Sequence, residues 1–208
     1  MSETITACEA AAYDGGPARG LALALATADA GPPPGGVGAL PSGDVPPDAE
    51  VVPHRLAALE GVGFVRWPVS GPAPKPTDAP HPWTLAAHLA AARAGVARRL
   101  LDDAVAHLSR RSAGGELLSQ KQLVRGVVAD VHTELEAVLR LLRVAGHLPA
   151  AVVDAHDRLT ALDWEAAKLL GAAGFLADGP ARAGYVAWLI AESWLDRNHT
   201  AVKEPAPC

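Results

Sequence analysis

Residues 124–142 read VRGVVADVHTELEAVLRLL, and this stretch decides the fold. Val124, Val128, Val131, Leu135, Val138 and Leu142 step by 4, 3, 4, 3 and 4 residues. That spacing lays one apolar stripe along an α-helix, whereas a strand, with its period of two, would scatter it over both faces. Gly146 and Pro149 end the helix. On the N-terminal side, Thr84 is placed to cap a first helix that turns Leu85, Leu89, Ala92, Val96 and Leu100 to one face and stops at Gly114-Gly115. On the C-terminal side, a third helix runs from about residue 150 to 170, with Val152, Leu159, Leu162, Ala166 and Leu169 inward, and stops at Gly171. Pro180 starts a fourth, carrying Tyr185, Trp188, Leu189 and Leu195. Four helices joined by short Gly/Pro turns make an up-and-down bundle, so the fold class is mainly α.

The composition is split along the chain. Of the 18 prolines in 208 residues, fourteen precede Trp83. The expected organisation is a Pro/Gly-rich segment at 1–82, the bundle at 83–197 and a tail at 198–208. Within the first segment, residues 29–53 are loop, because Pro32-Pro33-Pro34 and Pro46-Pro47 hold neither a helix nor a central strand. The apolar runs Gly20 to Ala26 and Glu60 to Val69 are expected as strands of a small, incomplete β layer. Residues 70–82 read as a proline-stiffened linker.

Lys and Arg number 18 against 23 Asp and Glu, a net charge of −5, which argues against a nucleic-acid binder, since phosphate neutralisation needs a clustered basic face. Cys8 and Cys208 lie near opposite ends in segments without a helical pattern, so neither a disulfide framework nor a four-cysteine metal cage is expected. The first residues lack a basic run, and Leu21 to Ala26 is far shorter than a membrane span. A cytoplasmic protein is the expectation.

Chemistry is sparse. A di-metal bundle site needs Glu-x-x-His on two helices, and that pattern is missing, so no metal is expected. His107, His132 and His156 read as surface or satisfied core histidines. Nucleotide-binding loops and nucleophile elbows are missing too. One segment stands out. In Ser109-Arg110-Arg111-Ser112-Ala113-Gly114-Gly115-Glu116, two arginines sit at a helix end beside a glycine turn, with Gln120 and Gln122 following. Cations at that end cap the helix dipole, or a guanidinium and an amide together hold a phosphate. Asp130 reads as a helix-to-helix salt-bridge partner.

The stretch Ala94 to Leu142 resembles the C-terminal helical domain of the acyl-CoA dehydrogenases. That family carries Arg-x-x-Phe-Gly, then Gln seven residues after the glycine, then Ala-Asp. Arg111, Gly114 in place of Phe, Gly115, Gln122, Ala129 and Asp130 match at the same spacing. Ala94-Gly95-Val96 matches a small-residue contact upstream, and Gly171-Ala172-Ala173-Gly174-Phe175 resembles the family's Gly-Gly-x-Gly-Tyr turn, with Pro180 and Tyr185 in register. The resemblance spans residues 83–195. The front segment, with Val65-Arg66-Trp67-Pro68, is similar to a reduced form of the family's middle β domain, with no N-terminal domain ahead of it.

The resemblance implies an FAD flavoprotein oxidising the Cα–Cβ bond of an acyl thioester, on acyl-CoA or an acyl carrier. Arg111 would hold the pyrophosphate and Gln122 the adenosine side, Lys168 stands where the family has a flavin-contacting glutamine, and Gly171 belongs to the backbone turn. The chemistry needs a carboxylate base. Its two family positions align with Leu195 and Leu85, which cannot take a proton. Glu192 is the nearest substitute and Asp196 the next. The reading is a truncated form or subunit, working as a homo-oligomer or with a full-length dehydrogenase; the alternative is a non-catalytic interaction or scaffold protein on the same fold.

Overall fold

The computed structural model describes residues 1–28, 30–67 and 82–197. Apart from Pro82, the expected linker at 70–82 and the tail at 198–208 lie outside them. The described helices are α1 (Ser2–Thr27), α2 (Arg55–Leu59), α3 (Pro82–Leu108), α4 (Gln122–Ala145), α5 (Pro149–Leu169) and α6 (Ala181–Trp194). The strands are β1 (Val37–Pro41), β2 (Glu50–Val52), β3 (Val62–Arg66), β4 (Ser112–Ala113) and β5 (Glu116–Leu117). In the larger sheet β3 lies between β1 and β2, antiparallel to both, with Ala39 opposite Phe64 and Val51 opposite Val65.

The bundle of α3 to α6 is present, and the seam of α4 is buried at Val131, Leu135, Val138 and Leu142, while Val124 and Val128 at its start are half-buried. Several expectations are corrected. Residues 29–53 are not all loop: β1 and β2 lie there, among the prolines, and pair on either side of β3. Residues 20–26 are helical, and Cys8 too lies in α1. The run Leu21-Ala-Leu-Ala-Leu-Ala26 alternates like a strand, yet Leu and Ala are strong helix formers and no β-branched residue opposes them. Thr84 does not cap α3, which begins at Pro82 and ends at Leu108, before the glycines. Gly114 and Gly115, with φ of 66° and 81°, form instead the two-residue turn of the β4–β5 hairpin, a conformation that glycine pairs favour. Asp130 is exposed and pairs with no cation among the described residues.

α1 is broken at Gly16, where φ is 72° and ψ −170°, ahead of Pro17. Its two arms fold back on one another. The Cys8 thiol shares a hydrogen bond with Thr27, and a Cβ at Gly20 would fall 2.7 Å from that of Ala12. This hairpin packs on α3, where Gly95 faces the backbone of α1 so closely that a Cβ there would overlap the carbonyl oxygen of Glu9. Glu9 also pairs with Arg98 of α3 at 3.0 Å and reaches Arg143 of α4 at 3.9 Å.

α3 is the axis of the molecule. Residues 85–97 are all buried, which fits a helix apolar on every side, and alanines at 86, 87, 90, 91, 92, 94 and 97 allow neighbours to approach it closely. Arg93 interrupts this surface at 2% exposure. Its Nη1 donates to the carbonyl oxygen of His156 at 3.0 Å and lies 3.3 Å from the Nδ1 of that histidine. Its Nη2 donates to Thr160 Oγ1 at 3.0 Å and to Asp163 Oδ2 at 3.2 Å. His156 Nε2 in turn donates to the carbonyl oxygen of Ala86 at 3.0 Å, which leaves Nδ1 as the acceptor and the ring neutral. His156 is thus the satisfied core histidine that the sequence suggested.

Burial, with the Arg93 and Arg197 charges, pushes the His156 pKa down to about 3, and burial also lowers that of His88, whose Nδ1 lies 3.1 Å from Thr27 Oγ1. Two outcomes follow. Gly95→Ala costs about 1–3 kcal/mol in denaturant unfolding, because the α1 backbone must move away from α3. In acid, the unfolded chain protonates His156 near its ordinary 6.5 while the native chain resists until about pH 3. Stability therefore falls as pH drops through that window, by an order of a few kcal/mol in all, and is flat above it. His156→Gln, which keeps a donor for Ala86, flattens the slope in denaturation curves taken between about pH 7 and pH 4.

Candidate functional site

α3 and α5 run parallel. Ala86 meets His156 near their starts, Arg93 meets Asp163 midway, and Leu100 and Ala104 cluster with Ala166 and Leu170 near their ends. Their C-terminal ends are therefore at the same end of the bundle. The β4–β5 hairpin follows α3 there and leads, through the 3₁₀ turn Leu118–Gln120, to the first residue of α4, Gln122. The sequence-derived set Arg111, Gln122, Lys168 and Gly171 consequently gathers at this end, and all four residues are exposed.

Arg111 lies just beyond the end of α3, in the segment entering the hairpin, and its side chain turns back toward the helix's last turn. Its Nη1 is 3.2 Å from His107 Nε2, and among the described residues it pairs with no carboxylate. Lys168 pairs with Glu165 one turn away at 2.7 Å. Gly171 opens the 3₁₀ turn Gly171–Phe175. Together these residues offer two cations, an amide and a glycine turn, a donor set that fits the phosphates of a dinucleotide. Neither of the two clefts described below is lined by these residues.

The acid–base positions are different in kind. Leu85 and Leu195 are core residues, 4% and 6% exposed. Glu192 receives both a 2.7 Å and a 3.2 Å hydrogen bond from Arg197, which also reaches Asp157 at 2.8 Å. Its carboxylate is held by a forked guanidinium, and that geometry favours an ion pair over a free base. Among the described residues no group of three or more His, Cys, Asp or Glu is placed to hold a metal ion, and no helix is long and apolar enough to cross a membrane.

Two clefts stand out among the described residues. The smaller, about 440 Å³, lies between α1 and α3–α4 and contains Glu9, Tyr13 and His132, with Tyr13 donating to Asp102 at 2.8 Å. The larger, about 920 Å³, is an apolar groove between α5, the 3₁₀ turn and α6. Its walls carry Trp164, Phe175, Tyr185 and Trp188, and Asp163 reaches its base from the buried network. Burial raises the Asp163 pKa, and Arg93 opposes the rise. Sequence reasoning passed over this groove. Arg93 inside an alanine run and Trp164 among the polar residues of α5 were the available signals.

The sequence profile for the acyl-CoA dehydrogenase C-terminal domain matches residues 86–195. No curated protein sequence matches the chain. Among solved structures, butyryl-CoA dehydrogenase from Megasphaera elsdenii superposes with a TM-score of 0.57 at 18% identity, over 79% of this chain and 46% of that one. A glutaryl-CoA dehydrogenase from Mycobacterium smegmatis, in complex with FADH2, gives 0.56 at 20% identity, over 78% and 51%. A Tcur3481–Tcur3483 steroid ACAD variant gives 0.54 at 22% identity, over 73% and 45%. The chain spans about half the length of these structures, and identities this low speak for the fold alone. With the profile covering more than half of its residues, the chain belongs to the acyl-CoA dehydrogenase family, through the family's C-terminal helical domain.

Proposed function

We propose that the chain is an acyl-CoA dehydrogenase-like flavoprotein component, a truncated form or subunit whose FAD site is completed by another chain. One observation supports the reading: Arg111, Gln122, Lys168 and Gly171 are all exposed and lie toward the end of the bundle where α3 and α5 finish. FAD, when bound, would supply the acceptor for a hydride leaving the Cβ of an acyl thioester. Arg111 would grip the pyrophosphate with its planar fork, and Gln122 would offer an amide to the adenosine side. Lys168 would serve as a point charge after leaving Glu165, and the backbone at Gly171 would allow close approach. The proton acceptor would come from the partner, because Leu85 and Leu195 cannot take a proton and Glu192 is committed to Arg197. The two-protein name of the Tcur3481–Tcur3483 relative supports assembly between chains of this fold.

Buried leucines at both base positions also favour a second reading, a non-catalytic interaction or scaffold protein. The two separate in one experiment. The purified chain, alone and co-expressed with a complete acyl-CoA dehydrogenase, is titrated with FAD and its visible flavin absorbance recorded. The flavoprotein reading expects absorbance in at least the complex, and Arg111→Ala to weaken FAD binding about tenfold or more with association unchanged. A complex that stays colourless with added FAD, indifferent to Arg111→Ala but dissociated by a charge introduced at Trp188, establishes the scaffold reading instead.

A further inference from the structure

The groove between α5 and α6 is a second place where this molecule can hold something, and it is not lined by the residues proposed for FAD. One wall is Trp164 against Phe175, edge to face with centroids 5.2 Å apart, and another is Tyr185 beside Trp188 at 6.0 Å. Trp164 is 61% exposed and Phe175 53%. Aromatic side chains left this open in a concave surface of about 920 Å³ match the size and lining of a small-molecule site.

The polar groups define the ligand further. Each charged side chain at the groove is already in an ion pair: Asp163 with Arg93, Arg182 with Glu60 at 2.6 Å, and Asp157 with Arg197. A charged ligand would lose its hydration and meet no uncompensated partner. Thr160 and Asp163 are oriented in a particular way at the base. The Thr160 hydroxyl donates inward to the carbonyl oxygen of His156, and its oxygen accepts from Arg93. Thr160, which is exposed, therefore keeps an acceptor lone pair, whereas Asp163 Oδ1 is sealed from solvent and Oδ2 accepts from Arg93. Gly184, itself buried, lies opposite this carboxylate on α6: a Cβ there would stand 3.4 Å from Asp163 Oδ1, so α6 packs closely over that oxygen.

We infer that the groove is a binding site for a small, uncharged, flat apolar molecule bearing one O–H or N–H donor, its rings between the aromatic walls and its donor on Thr160. The inference does not depend on flavin binding. It is tested on the full chain with three probes of one shape: 2-naphthol, its methyl ether 2-methoxynaphthalene, and the anion 2-naphthoate, with Kd measured by ligand-observed NMR. 2-Naphthol is expected to bind about tenfold more tightly than either other probe, the size of one net hydrogen bond. Thr160→Val, of the same shape, is expected to bring 2-naphthol to the level of the ether while leaving the ether unchanged, an outcome that loss of folding cannot imitate. Ala161→Trp, at an exposed lining position, is expected to abolish binding of all three. Equal affinity for the three probes, or binding indifferent to Ala161→Trp, overturns the inference. So does self-association in sedimentation that Ala161→Trp dissolves with no probe bound, since the groove would then be covered by a second copy of the chain.

Discussion

The guanidinium of Arg93 is the constraint around which the structure is arranged. A charge at 2% exposure is tolerated where most of its hydrogens find partners, and α5 provides them for both terminal nitrogens at His156, Thr160 and Asp163, one helical face read at successive turns, while Nε is left without one. That requirement fixes the register and the parallel sense of α3 and α5. Once those two are set, the ends of the bundle are set, and Arg111 and Lys168 arrive at the same one. The alanine surface of α3 then allows α1, α5 and α6 to close around it.

Legibility in the sequence followed the physics of each segment. α4, with polar residues on one face and a clean seam on the other, and α5 and α6, each started by a proline, could be read directly. α1 could not, because its Leu-Ala alternation mimics a strand and Gly15-Gly16-Pro17 looks like a loop; its helical character rests on alanine and on burial against α3, a partner some 80 residues away. The strand at Val62–Arg66 was legible from Val62, Phe64 and Val65, whereas β1 and β2 lay hidden among prolines and short polar turns.

The candidate site divides in the same way. Residues with a spacing signature, Arg111, Gln122, Lys168 and Gly171, could be named from the sequence as candidates, and the topology brings them to one end. Groups whose meaning is three-dimensional could not: Arg93 reads as one more arginine until its surroundings are known, and Trp164, Phe175, Tyr185 and Trp188 come from three elements that meet only in the fold. The same contrast separates Glu192 from a working base, since its engagement by Arg197 is a matter of geometry.

The fold-back of α1 also gives the molecule a chemical clock. Cys8 lies in the seam between the two arms, fully buried, with its thiol pushed up to about 11 by desolvation. At neutral pH roughly one such thiol in ten thousand is ionised in the closed state, and none is accessible to reagent. Covalent labelling of Cys8 must therefore wait for the arms to part, so its rate reports the opening of the N-terminal hairpin, as a frequency when the reagent outpaces reclosing and as an open fraction when it does not.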